Sequence, residues 1–382
     1  MTISATMRVL AGVFLATVLA ACGGGGGGGT PVTPPVTVTP PVTVTPPVTT
    51  TPPVTVTPPV TTPALKYPIP ANLWKAPAGA TPATGNYVYL QSASGDYIGG
   101  GRTYGYTNAD SALSVSANGL ALNVNVKGNE TWTGRFLLPS GAGNLQAGYF
   151  DNLTRAPFAD PAVGGIDWSG ESRGCNTIQG WVAIDNIVMS GSTVTALDLR
   201  FEQRCEGGGT ALHGQIHWSA SDTTTPPGPQ NPPPAGLWTP PAAILPATGN
   251  YVVLASDAND YIGRGRTELF TAANTPITVD TRLTAAVKVS VGPWNGSFYG
   301  MNTLSQLQPG YYGDLQRYPF NNAVKGGLDW SGDGRGCNTL SGWFVVDKVS
   351  YSLGELTAID LRFEQHCEGL TPALHGALHW AK

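Results

Sequence analysis

The chain has 382 residues, a net charge of −4 and only 12% charged side chains. No basic stripe exists in it, so nucleic acid is not an expected partner. With 50 glycines and 33 prolines it is dense in turns, which points to many short strands.

Arg8 precedes an apolar run over residues 9–21. Thirteen residues fall short of the roughly 20 that a spanning helix needs. The run reads as a signal peptide over residues 1–21. It ends in Leu19, Ala20, Ala21 and Cys22, which resembles the bacterial lipobox. That resemblance implies that Cys22 becomes the mature N-terminus and carries a lipid, making the membrane a partner. Gly23, rather than Asp, follows it, which by the enterobacterial sorting rule implies outer-membrane delivery. The expected location is therefore the bacterial cell envelope.

Residues 22–66 read as a tether. Seven glycines, Gly23 to Gly29, come first. The unit PPVTVT then restarts at Pro34, Pro40, Pro46, Pro52 and Pro58 with small variations. Paired prolines remove amide donors and block helix and sheet. At about 3.1 Å per residue, such a polyproline-like spacer reaches on the order of 100 Å.

The remainder is one unit written twice. PATGNYV at Pro82 returns at Pro246, and DYIGGGRT at Asp96 returns as DYIGRGRT at Asp260. RAPF at Arg155 returns as RYPF at Arg317, and LDLRFEQRCEG at Leu197 as IDLRFEQHCEG at Ile359. The early offsets are 164 and the later ones 162, so the first copy carries two extra residues in its middle. Copy 1 spans 67–220 and copy 2 spans 237–382. A proline-rich linker, 221–236, lies between and is expected to be flexible. Each copy is long enough to fold alone.

Within a copy the pattern has period two. Leu197, Leu199, Phe201, Gln203 and Cys205 alternate with Asp198, Arg200, Glu202 and Arg204. Leu212, Gly214, Ile216 and Trp218 alternate with His213, Gln215 and His217. These are half-buried strands, and no stretch shows a capped helical period. The expected fold is all-β: two tandem antiparallel β-sandwiches of about eight strands each.

Cys175 and Cys205 are 30 residues apart, as are Cys337 and Cys367. The midpoints, Ser190 and Ser352, fall on turn signals. A hairpin centred there places each Cys opposite its partner. Export favours oxidation, so Cys175–Cys205 and Cys337–Cys367 are the expected disulfides. Metal binding would want CxxC-like spacing or clustered His.

Several constellations suggest chemistry, each beside a plainer reading. Asp329, Ser331 and Asp333 resemble half of a calcium loop, but its twelfth position is Leu340. Arg335 beside them suits an internal Asp–Arg pair. His213 and His217 sit about 13 Å apart on a strand, too far to share one ion. Cross-strand pairs with Asp198, Arg200 and Glu202 suit them better. Glu202 with Glu206, and Glu364 with Glu368, provide carboxylate pairs for glycoside hydrolysis, with nothing to place them around a cleft. Most tryptophans fall in strand patterns and read as core. Trp168 and Trp330 precede glycine turns and read as the exposed platforms, with Tyr149, Tyr311, Arg173 and Arg335 as companions.

The motifs GDYIG, GRGCNTLSGWF from Gly334 and FEQHCEGLTPALHG from Phe363 resemble a β-domain that recurs in bacterial exported proteins, singly or in tandem. The resemblance covers both copies and implies fold, export and disulfides, without an activity or a cofactor. The function expected is non-catalytic binding of a glycan or a cell-envelope protein, as in adhesion, with avidity across the linker. A ligand-free spacer or surface-assembly component is the alternative, and a hydrolase of envelope polymers a further one.

Overall fold

The computed structural model describes residues 66–283 and 285–382. The expected signal peptide, the lipid site Cys22 and the tether up to residue 65 lie outside the described residues. Among those described, no helix is long and apolar enough to cross a membrane.

Each copy is one ten-stranded sheet. Copy 1 runs β1 (Tyr87–Ser92), β2 (Thr103–Thr107), β3 (Ala112–Asn118), β4 (Ala121–Lys127) and β5 (Thr131–Leu137). It continues through β6 (Gly148–Arg155), β7 (Gly165–Gly170), β8 (Ile178–Ser190), β9 (Thr193–Cys205) and β10 (Leu212–Ser219). Copy 2 repeats the series as β11 (Tyr251–Ser256), β12 (Thr267–Thr271), β13 (Ile277–Val279), β14 (Ala286–Val291) and β15 (Trp294–Tyr299). Its second half is β16 (Gly310–Arg317), β17 (Gly327–Gly332), β18 (Leu340–Ser352), β19 (Glu355–Cys367) and β20 (Ala373–Ala381). The spatial order is β2-β1-β10-β9-β8-β6-β7-β5-β4-β3, and copy 2 has the same order.

Every neighbouring pair in copy 1 is antiparallel except β6 and β7, which meet in a two-residue parallel joint, Thr154 to Gly165 and Arg155 to Ile166. The joint divides the sheet into a six-strand leaf and a four-strand leaf that face one core. The expected pair of layers is thus one sheet folded over into a near-barrel. Phe201 of β9 carries the contact between leaves, with ring centroids 5.1 Å from Trp168 on β7 and 5.3 Å from Phe136 on β5. Phe363, Trp330 and Phe298 repeat it.

Both disulfides form, with Cα atoms 5.2 and 5.0 Å apart. Each closes a 30-residue loop, which stabilises by roughly 3–4 kcal/mol in the chain-entropy picture. The hairpin centre differs from expectation. Ser190 and Ser352 are the last residues of β8 and β18, and the turns follow at 191–192 and 353–354. Cys205 therefore opposes Ile178, and Cys367 opposes Leu340. Cys175 and Cys337 come in diagonally from the loop ahead of the strand.

The linker is pinned rather than flexible. Asp222 accepts from the Asn86 amide and the Asn108 side chain. Further on, Gln230 and Tyr311 exchange both backbone hydrogen bonds. The copies also bond directly. Asn129, in the β4–β5 turn, donates to Asp314 and accepts from Gln316 on β16. Asn322, 3% exposed, donates to the Asp110 carbonyl at 2.8 Å and to Asn129 Oδ1 at 3.0 Å.

Candidate functional site

The two long motifs resolve into scaffold, residue by residue. Trp168 and Trp330, expected as exposed platforms, are 0% and 1% exposed. They sit on β7 and β17 facing the core, because alternation carries them inward even though a glycine turn follows. Their rings lie over Gly134 and Gly296, where an added Cβ would meet the indole at 2.4 Å. Gln203, fully buried, accepts from the Trp168 amide and donates to the Trp168 carbonyl, tying the two leaves together. Gln365 does the same for Trp330.

The other expected companions are also engaged. Arg173 donates to the Ile98 carbonyl and lies over the buried Trp132 ring. Arg335 covers Trp294 and pairs with Asp333 at 3.0 Å, its side chain 8% exposed. Arg335 lacks the solvent face that a binding role needs, whereas Arg173 is half-buried at the edge of an open cleft. Asp329 accepts from Ser331 and faces Arg317 at 3.7 Å. The half calcium loop thus spends its carboxylates on arginines, and no group of three or more metal-ligating residues occurs among the described residues. Tyr149 and Tyr311 are half-buried beside Trp181 and Trp343, at 5.9 and 6.0 Å.

The outer face of β9 and β10 carries the expected cross-strand pairs. The register sets His213 opposite Glu202, Gln215 opposite Arg200 and His217 opposite Asp198. His213 Nε2 is 2.8 Å from Glu202 Oε2, and Trp74 stacks on the imidazole at 4.8 Å. Copy 2 repeats this with His375, Glu364 and Trp238. The hydrogen bond from His213, joined by Arg204, holds the Glu202 carboxyl down at about 2. Glu364 is held at about 2 by His375 and His366. Glutamates this acidic stay ionised and store no proton for a general acid. Glu206 and Glu368 are held low by backbone amides, those of Asn176 and Asn338 first. The four glutamates therefore brace the sheet and the loop after each Cys.

A different set is both exposed and duplicated. Phe158 and Phe320, the last residues of RAPF and RYPF, are 76% and 75% exposed. Arg155 lies over Phe158 at 5.1 Å and Arg317 over Phe320 at 5.5 Å. Each guanidinium also faces a carboxylate, Arg155 to Asp167 at 3.6 Å and Arg317 to Asp329 at 3.7 Å. Those separations exceed a hydrogen bond, and the Nε of both arginines is buried without a hydrogen-bond partner. Burial pushes the Asp167 and Asp329 carboxyls up, partly offset by the arginines and by Ser169 and Ser331. The β6–β7 joint positions this set: Arg155 and Asp167 lie at its end, and a proline-containing turn delivers the Phe.

Tyr97 and Tyr261, 57% and 51% exposed, form a second matched pair. Asp96, on the Gly99 amide and Ser92 Oγ, fixes that loop while the Tyr points outward. Sequence reasoning missed both pairs. Their signal was an aromatic kept in both copies outside any strand alternation, at RxPF and DYIG. No family model, curated protein or solved structure matches the chain.

Proposed function

We propose that the protein is a non-catalytic binding module of the bacterial cell envelope, anchored through Cys22 and offering two equivalent platforms to a polyhydroxylated ligand, a surface glycan. One observation carries this reading. A large aromatic stands exposed at the same place in both copies, backed by a guanidinium and flanked by a half-buried carboxylate and a serine. A planar face beside convergent donors and acceptors matches the C–H face and hydroxyl edge of a sugar ring. A spacer without a ligand gives no reason to hold two phenyl rings out into water. A hydrolase would need its named glutamates around a cleft, and they are committed to imidazoles and amides instead.

The test is retention of the full chain on immobilised polysaccharides. Phe158→Ala with Phe320→Ala should abolish retention while leaving the melting temperature unchanged, since both rings are exposed. Retention that survives the double change, or none on a broad glycan panel, overturns the reading.

A further inference from the structure

The two platforms are alike in sequence but differ in what stands opposite them. In copy 1 the platform borders an open polar cleft of about 880 Å³. Thr131, Thr133, Arg155, Asp167 and Ser169 line it from copy 1, and Phe320 lines it from copy 2. The volume falls within the roughly 300–1,000 Å³ typical of small-molecule sites. From the saccharide reading above, on which this rests, we infer that Phe320 completes the copy 1 platform into one composite clamp for a neutral sugar segment. The tandem, not the single domain, is then the binding unit.

Three observations place Phe320 there by construction. First, it is held in its loop by its neighbours rather than by its own burial. Asn322, two residues on, is locked to Asp110 and Asn129. On β16, Asp314 and Gln316 bond Asn129 as well, and Lys325 pairs with Asp314. Second, three of these bonds, from Asn322, Asp314 and Gln316, converge on Asn129 in a turn that copy 2 lacks. Five residues, 127–131, separate Val126 from Trp132, whereas two, Gly292 and Pro293, separate Val291 from Trp294. The dock exists once, so the clamp exists once. Third, the cleft offers alternating chemistry: a phenyl face, four hydroxyls, two carboxylates and two guanidinium groups. Arg155 and Arg173 balance Asp167 and Glu171 around it, which favours an uncharged segment over an acidic one.

The experiment is calorimetric titration of the full chain with cellohexaose, maltohexaose and chitohexaose, and with acidic hexagalacturonate. At least one neutral hexasaccharide should bind. Phe320→Ala should weaken it by about tenfold or more, the scale of one lost aromatic contact. Replacing the turn tip, residues 128–130, with the Gly-Pro of copy 2 removes Asn129, keeps the cleft residue Thr131, and should weaken it equally while leaving the Phe320 platform intact. Both variants should keep the wild-type far-ultraviolet circular dichroism. Binding that ignores Phe320→Ala and the turn exchange, yet is lost in Phe158→Ala, overturns the clamp and leaves the two-platform reading standing. Preference for hexagalacturonate overturns the neutral assignment. Binding of none of the four overturns the clamp and the saccharide reading together.

Discussion

The β4–β5 turn of copy 1 and the β14–β15 turn of copy 2 occupy the same place in the sheet and do different things. Three additional residues in copy 1 bring in Asn129, and Asn129 carries most of the side-chain bonds between the copies. Copy 2 closes the same hairpin with Gly292 and Pro293 and gains one residue elsewhere, which leaves the net surplus of two seen in the offsets. The cores hardly differ: Trp168, Phe201 and Gln203 have their equivalents in Trp330, Phe363 and Gln365. Core positions resist change because each touches several others at close packing, whereas a turn can lengthen at little cost. A duplicated domain thus became asymmetric at its surface without disturbing its interior. The outer faces diverge too, with Gln91, Tyr89 and Gln215 matched by Ala255, Val253 and Ala377.

The largest expected effect concerns what the copies share. Trp168→Ala and Trp330→Ala should each destabilise their own copy by about 3–5 kcal/mol, the usual cost of emptying a buried aromatic site. Urea denaturation measures it, and an unchanged midpoint would make these rings surface platforms after all. Removing a disulfide comes next. Cys175→Ser with Cys205→Ser, or Cys337→Ser with Cys367→Ser, should cost roughly 3–4 kcal/mol and should cost the two copies alike, since the loops are equal. A marked inequality would show that the copies are less equivalent than their cores suggest.

A smaller effect probes where the copies differ. Asn129→Ala should cost about 0.5–1.5 kcal/mol for each hydrogen bond lost and let copy 2 tumble more independently in NMR relaxation. Identical correlation times before and after would remove Asn129 as the dock. A further effect is in the acid range. Glu202 and Glu364 ionise below their ordinary 4.5, at about 2. Their contribution is therefore complete above pH 4.5 and is lost as the pH falls toward 2. Asp167 and Asp329, pushed up by burial, act in the opposite sense. Their contribution is present below the ordinary 3.8 and is lost as the pH rises through their higher folded values. Glu202→Gln with Glu364→Gln should flatten the acid loss of melting temperature between pH 4.5 and 2. An unaltered slope would mean that the imidazole contacts do not hold these carboxylates.

Much of the scaffold was legible in one dimension. The repeat announced two domains, period-two alternation announced strands, and equal Cys spacing announced the pairings. The His–carboxylate ladder followed from one assumption about which strands adjoin, and the register of β9 and β10 made it true. These features are readable because they depend on local geometry: side chains alternate along a strand, and partners on adjacent strands sit opposite one another. The position of Trp168 beside a glycine turn misled for the same reason. A turn signal tells where a strand stops and not which leaf covers the residue before it.

What the chain determined by itself is the list of parts: strands, crosslinks and an internal copy. The tertiary structure alone decided which aromatics are covered. Burial depends on the opposing leaf, and Phe201 closing over Trp168 lies 33 residues away in sequence. It also decided that Phe320 serves the cleft of the other copy. That contact depends on a turn 190 residues earlier, and no period or spacing in the sequence connects the two.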